Sequence, residues 1–484
     1  MATIGTAFNI AAGALDADQA ALDIVANNTA NVNTPGYTLE TPTWTENDTA
    51  SFGGINFGMG VQETGAQSQR DRVLEQAMQQ QTQTESASSA RLTALDQIQA
   101  MFSGATSAGT DTSAASGIGS DLSSFFDSLS SLEASPADDA LRQNVLSAAG
   151  TLASDFNGAA SQIEGQRQSL DEQGASVAGQ ANSLLQDIAQ LNVQIESTSP
   201  NADAGTLEDQ RQQDLTNLSQ LIGIRTVPTE NNGLTVTTMG GALLVSEGQA
   251  HAITTGEDAG VTHFFDGEGA DITSDLTTGG GQLGGILTAR DQDIPQVENS
   301  LDALAYAVGS AINTQNEAGW DQNEAAGTAI FSLPANATAA NPAGSAAQIA
   351  VVMTDPSKIA AAGTIPGSTP PAGEGPSDNT NLVVMANLQN LGIIKGATPT
   401  SYFSDMVTSL GSLTSEVSSE NTAQQAALTQ LQSQIGSISG VNLNDEAASL
   451  ETLEQSYQAA SKLFTVLDQV MVSALNLGVQ TSYA

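Results

Sequence analysis

The chain has 484 residues, enough for several domains with ample core, and its 53 acidic against 11 basic side chains leave a formal net charge of −42. A chain this acidic is repelled by phosphate backbones and anionic lipid, which argues against nucleic-acid and membrane-surface partners and leaves solubility as the plain role of the charge. It has no cysteine, which excludes a disulfide framework, a zinc–thiolate site and a thiol nucleophile, and no run of about 18 apolar residues offers a membrane span.

From Thr3 to about Asn33 no proline interrupts the chain. Ile4, Phe8, Ala11, Leu15, Leu22 and Val25 follow steps of four and three, with Asp18 in the one missing position. A 3.5-residue repeat of this kind makes a narrow helical stripe, the seam of a coiled coil. The run ends in Asn27-Asn28-Thr29-Ala30-Asn31-Val32-Asn33-Thr34-Pro35-Gly36-Tyr37. Asn and Thr compete with helical hydrogen bonds, Pro35 stops the helix, and Pro35-Gly36 suits the centre of a type II turn. Nothing before it pairs a basic segment with an apolar core, so a cleaved secretory signal is not expected. Residues 37–69, with Trp44 and the glycine-punctuated Phe52–Gly58, read as an extended or hairpin connector.

The helical period returns at Arg70, the first basic residue. Val73, Ala77, Thr84, Leu92, Leu95, Ile98 and Phe102 predict one face of a long helix, 103–120 a loop, and Leu122 to Leu132 a short helix stopping before Pro136. Leu141 to about Ile195 reads as helix, with Leu184, Ile188, Leu191 and Ile195 as its seam. Ser199-Pro200-Asn201 breaks it before a further helix through Ile222. At Gly223 the pattern becomes strand-like, with turns at Asn231-Asn232-Gly233 and Gly240-Gly241, and continues to about Ile286. A helix follows near Pro295. Residues 319–380 show no sustained period, and helices resume from Asn381, with a break at Gly440 and Asn444 as candidate cap of the last one, with Asp445 and Glu446 in its first turn. In that last helix the four-three rhythm reappears at Leu450, Leu453, Tyr457, Ala460, Phe464, Leu467, Met471 and Ala474.

Catalytic chemistry is hard to find. His251 and His263 lie outside any HExxH-like spacing, and no GxSxG elbow places a serine beside either. Asp266–Asp271 faintly resembles a calcium loop but lacks its 1-3-5-12 ligand pattern. Gly279–Gly281 and Gly284-Gly285 lack the setting of a phosphate loop and read as flexible turns. No catalytic, cofactor-binding or metal-binding residue is expected.

The matched stripes at the two ends, Ile4 to Val25 and Leu450 to Ala474, point to an assembly surface that also takes in Asn27, Asn28, Asn31, Asn33, Pro35, Gly36 and Tyr37. The Asn27–Tyr37 motif resembles the signature shared by the axial proteins of the bacterial flagellum, the rod, hook and hook-associated proteins. Ser439–Ala448 and Glu454–Lys462 resemble the family's C-terminal motifs. Thr38-Leu39 follows Tyr37 where the family often has a serine and a basic residue. Two features resemble the hook-associated branch more than the hook protein: Gly440-Val441-Asn442-Leu443 followed by the acidic pair Asp445-Glu446, and the long-helical stretch from about 70 to 222. The hook protein stays the alternative, with other axial proteins. A secreted enzyme or adhesin acting through 223–290 is the more distant one.

The resemblance implies a structural, non-enzymatic subunit at the hook–filament junction, extracellular in the flagellum, exported by the flagellar type III route without a cleaved signal. Its implied partners are copies of itself, hook protein, an adjacent hook-associated protein and an export chaperone on the C-terminal helix. The expected fold is mainly α with an inserted β-domain: terminal coiled-coil helices (1–40 with 445–484), a helical bundle (41–222 with 291–318 and 381–444) and an outer β-rich or irregular domain (223–290 with 319–380).

Overall fold

A computed structural model describes residues 2–52, 55–102, 114–198, 204–258, 260–368 and 372–480. The first seam forms a single helix, α1 (Ala2–Asn31). Past the turn motif the chain makes a long antiparallel hairpin of β1 (Glu40–Glu46) and β4 (Val61–Ser68), with Glu40 opposite Ser68. Between them in sequence, β2 (Ala50–Phe52) pairs with β3 (Ile55–Phe57); Gly53 and Gly54 of the expected glycine-punctuated stretch lie outside the described residues.

The helical body opens with α2 (Arg72–Phe102), α3 (Ala114–Glu133), α4 (Asp139–Thr198) and α5 (Gly205–Leu221). The expected loop at 103–120 lies outside the described residues as far as 113. From Ala114 onward it is helix instead, because fully buried Ile118 extends the apolar face of Leu122 by one turn. The expected break at Ser199-Pro200-Asn201 is also outside the described residues. At 60 residues, α4 is about 90 Å long. It runs the length of a continuous apolar core that includes Leu95, Ile98, Phe156, Leu185 and Leu304. Phe125 meets Phe126 and Phe331 there edge-on, at 5.4 and 5.8 Å between centroids.

Two helix faces differ from the apolar periodicity. Val73 is 76% exposed, and the buried residues of α2 before Ala94 are Gln79, Thr82, Gln83 and Ser88. Neighbouring elements satisfy polar groups on this face: Gln83 Nε2 donates to the Ile224 carbonyl at 3.0 Å, and Ser88 Oγ accepts from Asn421 Nδ2 at 3.0 Å. On α4, Leu184 and Leu191 are half-buried and not the buried seam positions that the spacing predicts. The buried seam runs through Leu185, Ile188, Asn192 and Ile195. Asn192 sits in it because its amide donates to the Leu234 carbonyl at 2.7 Å and accepts from Arg211 at 2.8 Å.

The β-insert is a four-stranded antiparallel sheet of β5 (Ile224–Pro228), β6 (Leu234–Thr238), β7 (Leu243–Ser246) and β8 (Gln249–Ala250), with a separate hairpin of β9 (Thr254–Asp258) and β10 (Val261–Phe265). The strand pattern expected to reach Ile286 stops at Phe265. Thr273–Gly279 and Gly281–Thr288 are helices, α6 and α7, and a π-turn over Ala289–Asp293 leads into α8 (Ile294–Glu317). Gly284 and Gly285, expected in a flexible turn, are close-packing positions: a Cβ on Gly285 would lie 2.1 Å from the Ala87 carbonyl oxygen of α2. Arg290 of the π-turn is buried and holds Asp171 of α4, Asp291 and the Thr262 carbonyl of β10 together.

Residues 319–380 carry little regular structure beyond β11 (Phe331–Ser332), α9 (Ser345–Gln348) and β12 (Ala350–Val351). Side chains of the helices satisfy their backbone. Asn316 accepts from Ala360 N–H at 2.9 Å and donates to Thr328 O at 2.6 Å, Asp302 accepts from Gly344 and Ala346 N–H at 2.8 and 2.7 Å, and buried Arg142 donates to Ile359 O at 2.6 Å. The chain closes with α10 (Thr380–Asn387), α11 (Pro399–Ser439) and α12 (Leu443–Gln480). The cap of α12 is Asn442 and not Asn444: Asn442 Oδ1 accepts from Asn444 N–H at 3.0 Å, and its carbonyl accepts the first intrahelical bonds. No described helix is long and apolar enough to cross a membrane.

Candidate assembly interface

Helices α1 and α12 lie side by side and antiparallel, with Phe8 against Phe464 at one end and Asn28 against Glu446 at the other. The contact is shallow on the α12 side. Leu453, Ala460, Phe464 and Leu467 are half-buried, Leu450, Tyr457 and Met471 are 37–39% exposed, and Ala474 is exposed. Across residues 443–476 only Glu446 is buried. A second apolar row, Leu463, Val466, Val470 and Leu475, is turned to solvent at about half exposure.

The α1 side is deeper, because α1 buries two faces. Ile4, Phe8, Leu15 and Leu22 are half-buried or better along the expected seam, and Ala11 and Val25 are buried. Ala17 and Ala21, outside that seam, are buried as well. The β1–β4 hairpin lies against this helix: a Cβ on Gly13 would lie 3.1 Å from the Val61 carbonyl, and Gly60 rests on Ile10. Asp18, placed in the seam by the spacing, keeps one buried carboxylate oxygen without a hydrogen bond.

Where the helix pair meets the body, the asparagine-rich motif folds into a joint. The turn forms as the Pro-Gly pair requires: Tyr37 N–H donates to Thr34 O at 3.2 Å, with Gly36 at φ +80°. Asn28 is 1% exposed and is the hub. Its Nδ2 donates to the Glu40 carbonyl at 2.8 Å and to Glu446 Oε2 at 3.2 Å, while its Oδ1 accepts from the Tyr37 hydroxyl at 2.8 Å and Glu40 N–H at 3.1 Å. One amide thereby ties α1, the turn, β1 and the first turn of α12. Burial, with the Glu40, Asp209 and Glu446 carboxylates nearby, pushes the Tyr37 phenol well above its ordinary range, so it stays a donor.

A second layer links this joint to α5 and α11. Asp209 accepts from Thr38 N–H at 3.0 Å and Thr38 Oγ1 at 2.7 Å, and also from Arg70 Nη2. Leu39 N–H donates to the Ser439 carbonyl at 2.8 Å. The remaining motif residues stay nearer the surface. Asn27, Asn33, Pro35 and Gly36 are exposed, and Asn31 is half-buried and bonds back to Asn27 at 2.8 Å. Most of them line an open groove against α5 of about 550 Å³. Nothing in the sequence places Thr38, Asp209 or Arg70 in this joint; the available signal is that Arg70 is the first cation after a long acidic and neutral stretch.

Of the two histidines, His263 pairs through Nδ1 with Asp271 Oδ2 at 2.8 Å at the surface. Among the described residues no three His, Asp or Glu side chains are grouped to hold a metal ion.

The helical body and the N-terminal motif each match a family. The flagellar hook-associated protein FlgK helical domain matches residues 95–331, and the flagella basal body rod protein family matches residues 8–38. Flagellar hook-associated protein 1 of Escherichia coli (strain K12) is 26% identical, over 97% of this chain and 99% of its own length. Over nearly its full length the chain is similar to flagellar hook-associated protein 1. The Bacillus subtilis (strain 168) protein of that name is 24% identical, over 96% of both chains. The solved structure of the flagellar hook junction protein FlgK from Burkholderia pseudomallei shares the fold, with a TM-score of 0.64 over 75% of this chain and all of that one, at 19% identity. The rod-protein match ends at Thr38, the residue that hands the motif on to Asp209.

Proposed function

We propose that the chain is a structural subunit of the bacterial flagellum that joins hook to filament through its terminal helices. The observation that carries this reading is α12, an apolar helix whose only buried residue over 443–476 is Glu446. A lone helix with a narrow apolar stripe is marginal in water. Burying the half-exposed Leu, Val, Met and Tyr side chains of α12 against neighbouring subunits is worth on the order of 10 kcal/mol before ordering costs. Folding of the ends is thereby coupled to assembly. The interface residues are the two stripes, Ile4 to Val25 and Leu450 to Ala474, with the exposed asparagines of the motif at the subunit boundary.

The partners in this reading are further copies of the chain, hook protein on one side and an adjacent hook-associated protein on the other. Before assembly, an export chaperone covers α12, and the chain leaves through the flagellar export apparatus with its N-terminus uncut. The role is mechanical and needs no cofactor or catalysis. The terminal pair is the innermost part, the helical body the middle, and the β-insert the part furthest from the axis.

Cells lacking the chain test the reading. Electron microscopy is expected to show hooks without filaments, with flagellin released into the medium. Normal filaments on those hooks would refute it.

A further inference from the structure

Behind the joint, α2, α5 and the β5–β6 turn enclose a cavity of about 140 Å³. Arg70, Arg72 and Arg211 line it, three of only 11 basic residues in the chain. Polar atoms here lack partners although they are buried: Arg70 Nε, Gln212 Nε2 and Glu208 Oε1. The Arg70 side chain is only 8% exposed, so its Nε–H has given up water without a replacement. Burial of such groups without a partner is unfavourable, and a ligand that pairs them removes that cost.

The charges point the same way. Facing the cavity are Arg70, Arg72 and Glu75 from α2 and its approach and Glu208 and Arg211 from α5, with Asp209 already committed to Arg70 and Thr38, and Glu196 of α4 acting on Arg211 from outside the cavity. Burial raises the Glu75 carboxyl to about 7, against the opposing pull of Arg70. Burial also draws the Arg211 guanidinium down to about 10; Glu208 opposes this, while Arg70 and Arg72 add to it. Near pH 7 Glu75 is about half protonated, so the three guanidiniums outweigh Glu208, Asp209 and Glu75 by a fraction of a positive charge.

We propose that this cavity binds inorganic phosphate in a protonated form, held by Arg70, Arg72, Arg211 and the Gln212 amide, with its hydroxyl donated to Glu208 Oε1. An oxyanion supplies acceptors for the unpaired Arg70 Nε–H and Gln212 Nε2. The unpaired carboxylate oxygen selects among oxyanions: a phosphate at neutral pH still carries a proton to give it, and sulfate does not. Bound phosphate fixes Arg70, and through Arg70 the Asp209–Thr38 link that carries the terminal helices.

The test is calorimetric titration of the full-length chain with sodium phosphate, sodium sulfate and sodium chloride at matched ionic strength and pH 7. Phosphate is expected to bind saturably and sulfate at least roughly tenfold more weakly, with chloride showing no saturable heat. Arg72→Gln is suited to the second arm because Arg72 is exposed at the mouth and its bond to Asn232 is long, at 3.3 Å. Gln212→Met is the other: it removes the unpartnered Nε2, and at Oε1 it gives up only the long 3.5 Å bond from Gln79 Nε2. Each is expected to weaken phosphate about tenfold while leaving the melting curve in chloride unchanged. Phosphate and chloride acting alike, sulfate binding as tightly as phosphate, or both variants binding like the parent chain would each overturn the proposal.

Discussion

Phe8 and Phe464, near opposite ends of the chain, face each other with ring centroids 4.1 Å apart and planes tilted by 43°. Such a pair adds about 0.5–1.5 kcal/mol beyond area burial, but both rings are only half-buried in the single chain. Phe464→Ala is therefore expected to leave the melting of the body within about 0.5 kcal/mol of the parent. Amide hydrogen exchange should speed up across α1 and α12 alone. Unchanged protection of both helices would contradict the pairing.

Asn28 donates to Glu446 and to the Glu40 carbonyl through the same nitrogen. Asn28→Asp keeps the shape and turns that donor into a carboxylate oxygen facing two acceptors. A loss of about 3 kcal/mol at the joint is expected, larger than for Asn28→Ala at about 2 kcal/mol. Limited proteolysis between residues 28 and 40 reads it out: Asp should be cut faster than Ala, and the reverse order would show that the amide is not held in this orientation.

The Glu75 carboxyl, raised by burial to about 7, makes stability depend on pH with a definite sign. The folded chain holds a proton there that the unfolded chain has released above its ordinary value of 4.5. The Glu75 contribution to stability is therefore full below about 4.5, falls as pH rises from there to about 7, and is flat above. Glu75→Gln should stabilise the chain by about 1–3 kcal/mol at about pH 8 and progressively less toward about pH 5. Urea unfolding at a series of pH values measures this, and a constant difference across the series would assign the effect to something other than titration.

Arg290 is enclosed and joins Asp171 of α4 to the Thr262 carbonyl of β10. Arg290→Ala removes the cation from Asp171 and Asp291 and is expected to cost about 3–5 kcal/mol. Adding Asp171→Ala to it should recover part of that loss. A strictly additive double variant in thermal melts would show that the two residues are not coupled.

The terminal pair is legible in the sequence because a narrow contact between two helices leaves a strict 3.5-residue rhythm, and Phe8 and Phe464 both stand in it. The turn at Pro35-Gly36 is legible from local chemistry alone. The joint is half legible. Asn28 and Tyr37 belong to a recognisable motif, but Asp209 lies 171 residues beyond Thr38 and no local pattern connects them. The polar face of α2 is hidden because Gln83 and Ser88 are buried by hydrogen bonding, which apolar periodicity does not register. Gly281–Thr288 does not read as helix, its glycine pairs reading as turns at the end of a strand-like pattern, because glycine disfavours helix. The helix forms there because a residue without Cβ lets α7 approach the Ala87 carbonyl of α2.

Attachment of a chain lacking residues 445–484 to purified hooks is the measurement that bears most directly on the role of the terminal helices. The shortened chain should keep the cooperative melting of its body, whose apolar core draws on no residue of that segment, and fail to bind hooks that take up the full chain. A shortened chain that binds hooks as well as the full one would contradict the assembly role given to α12.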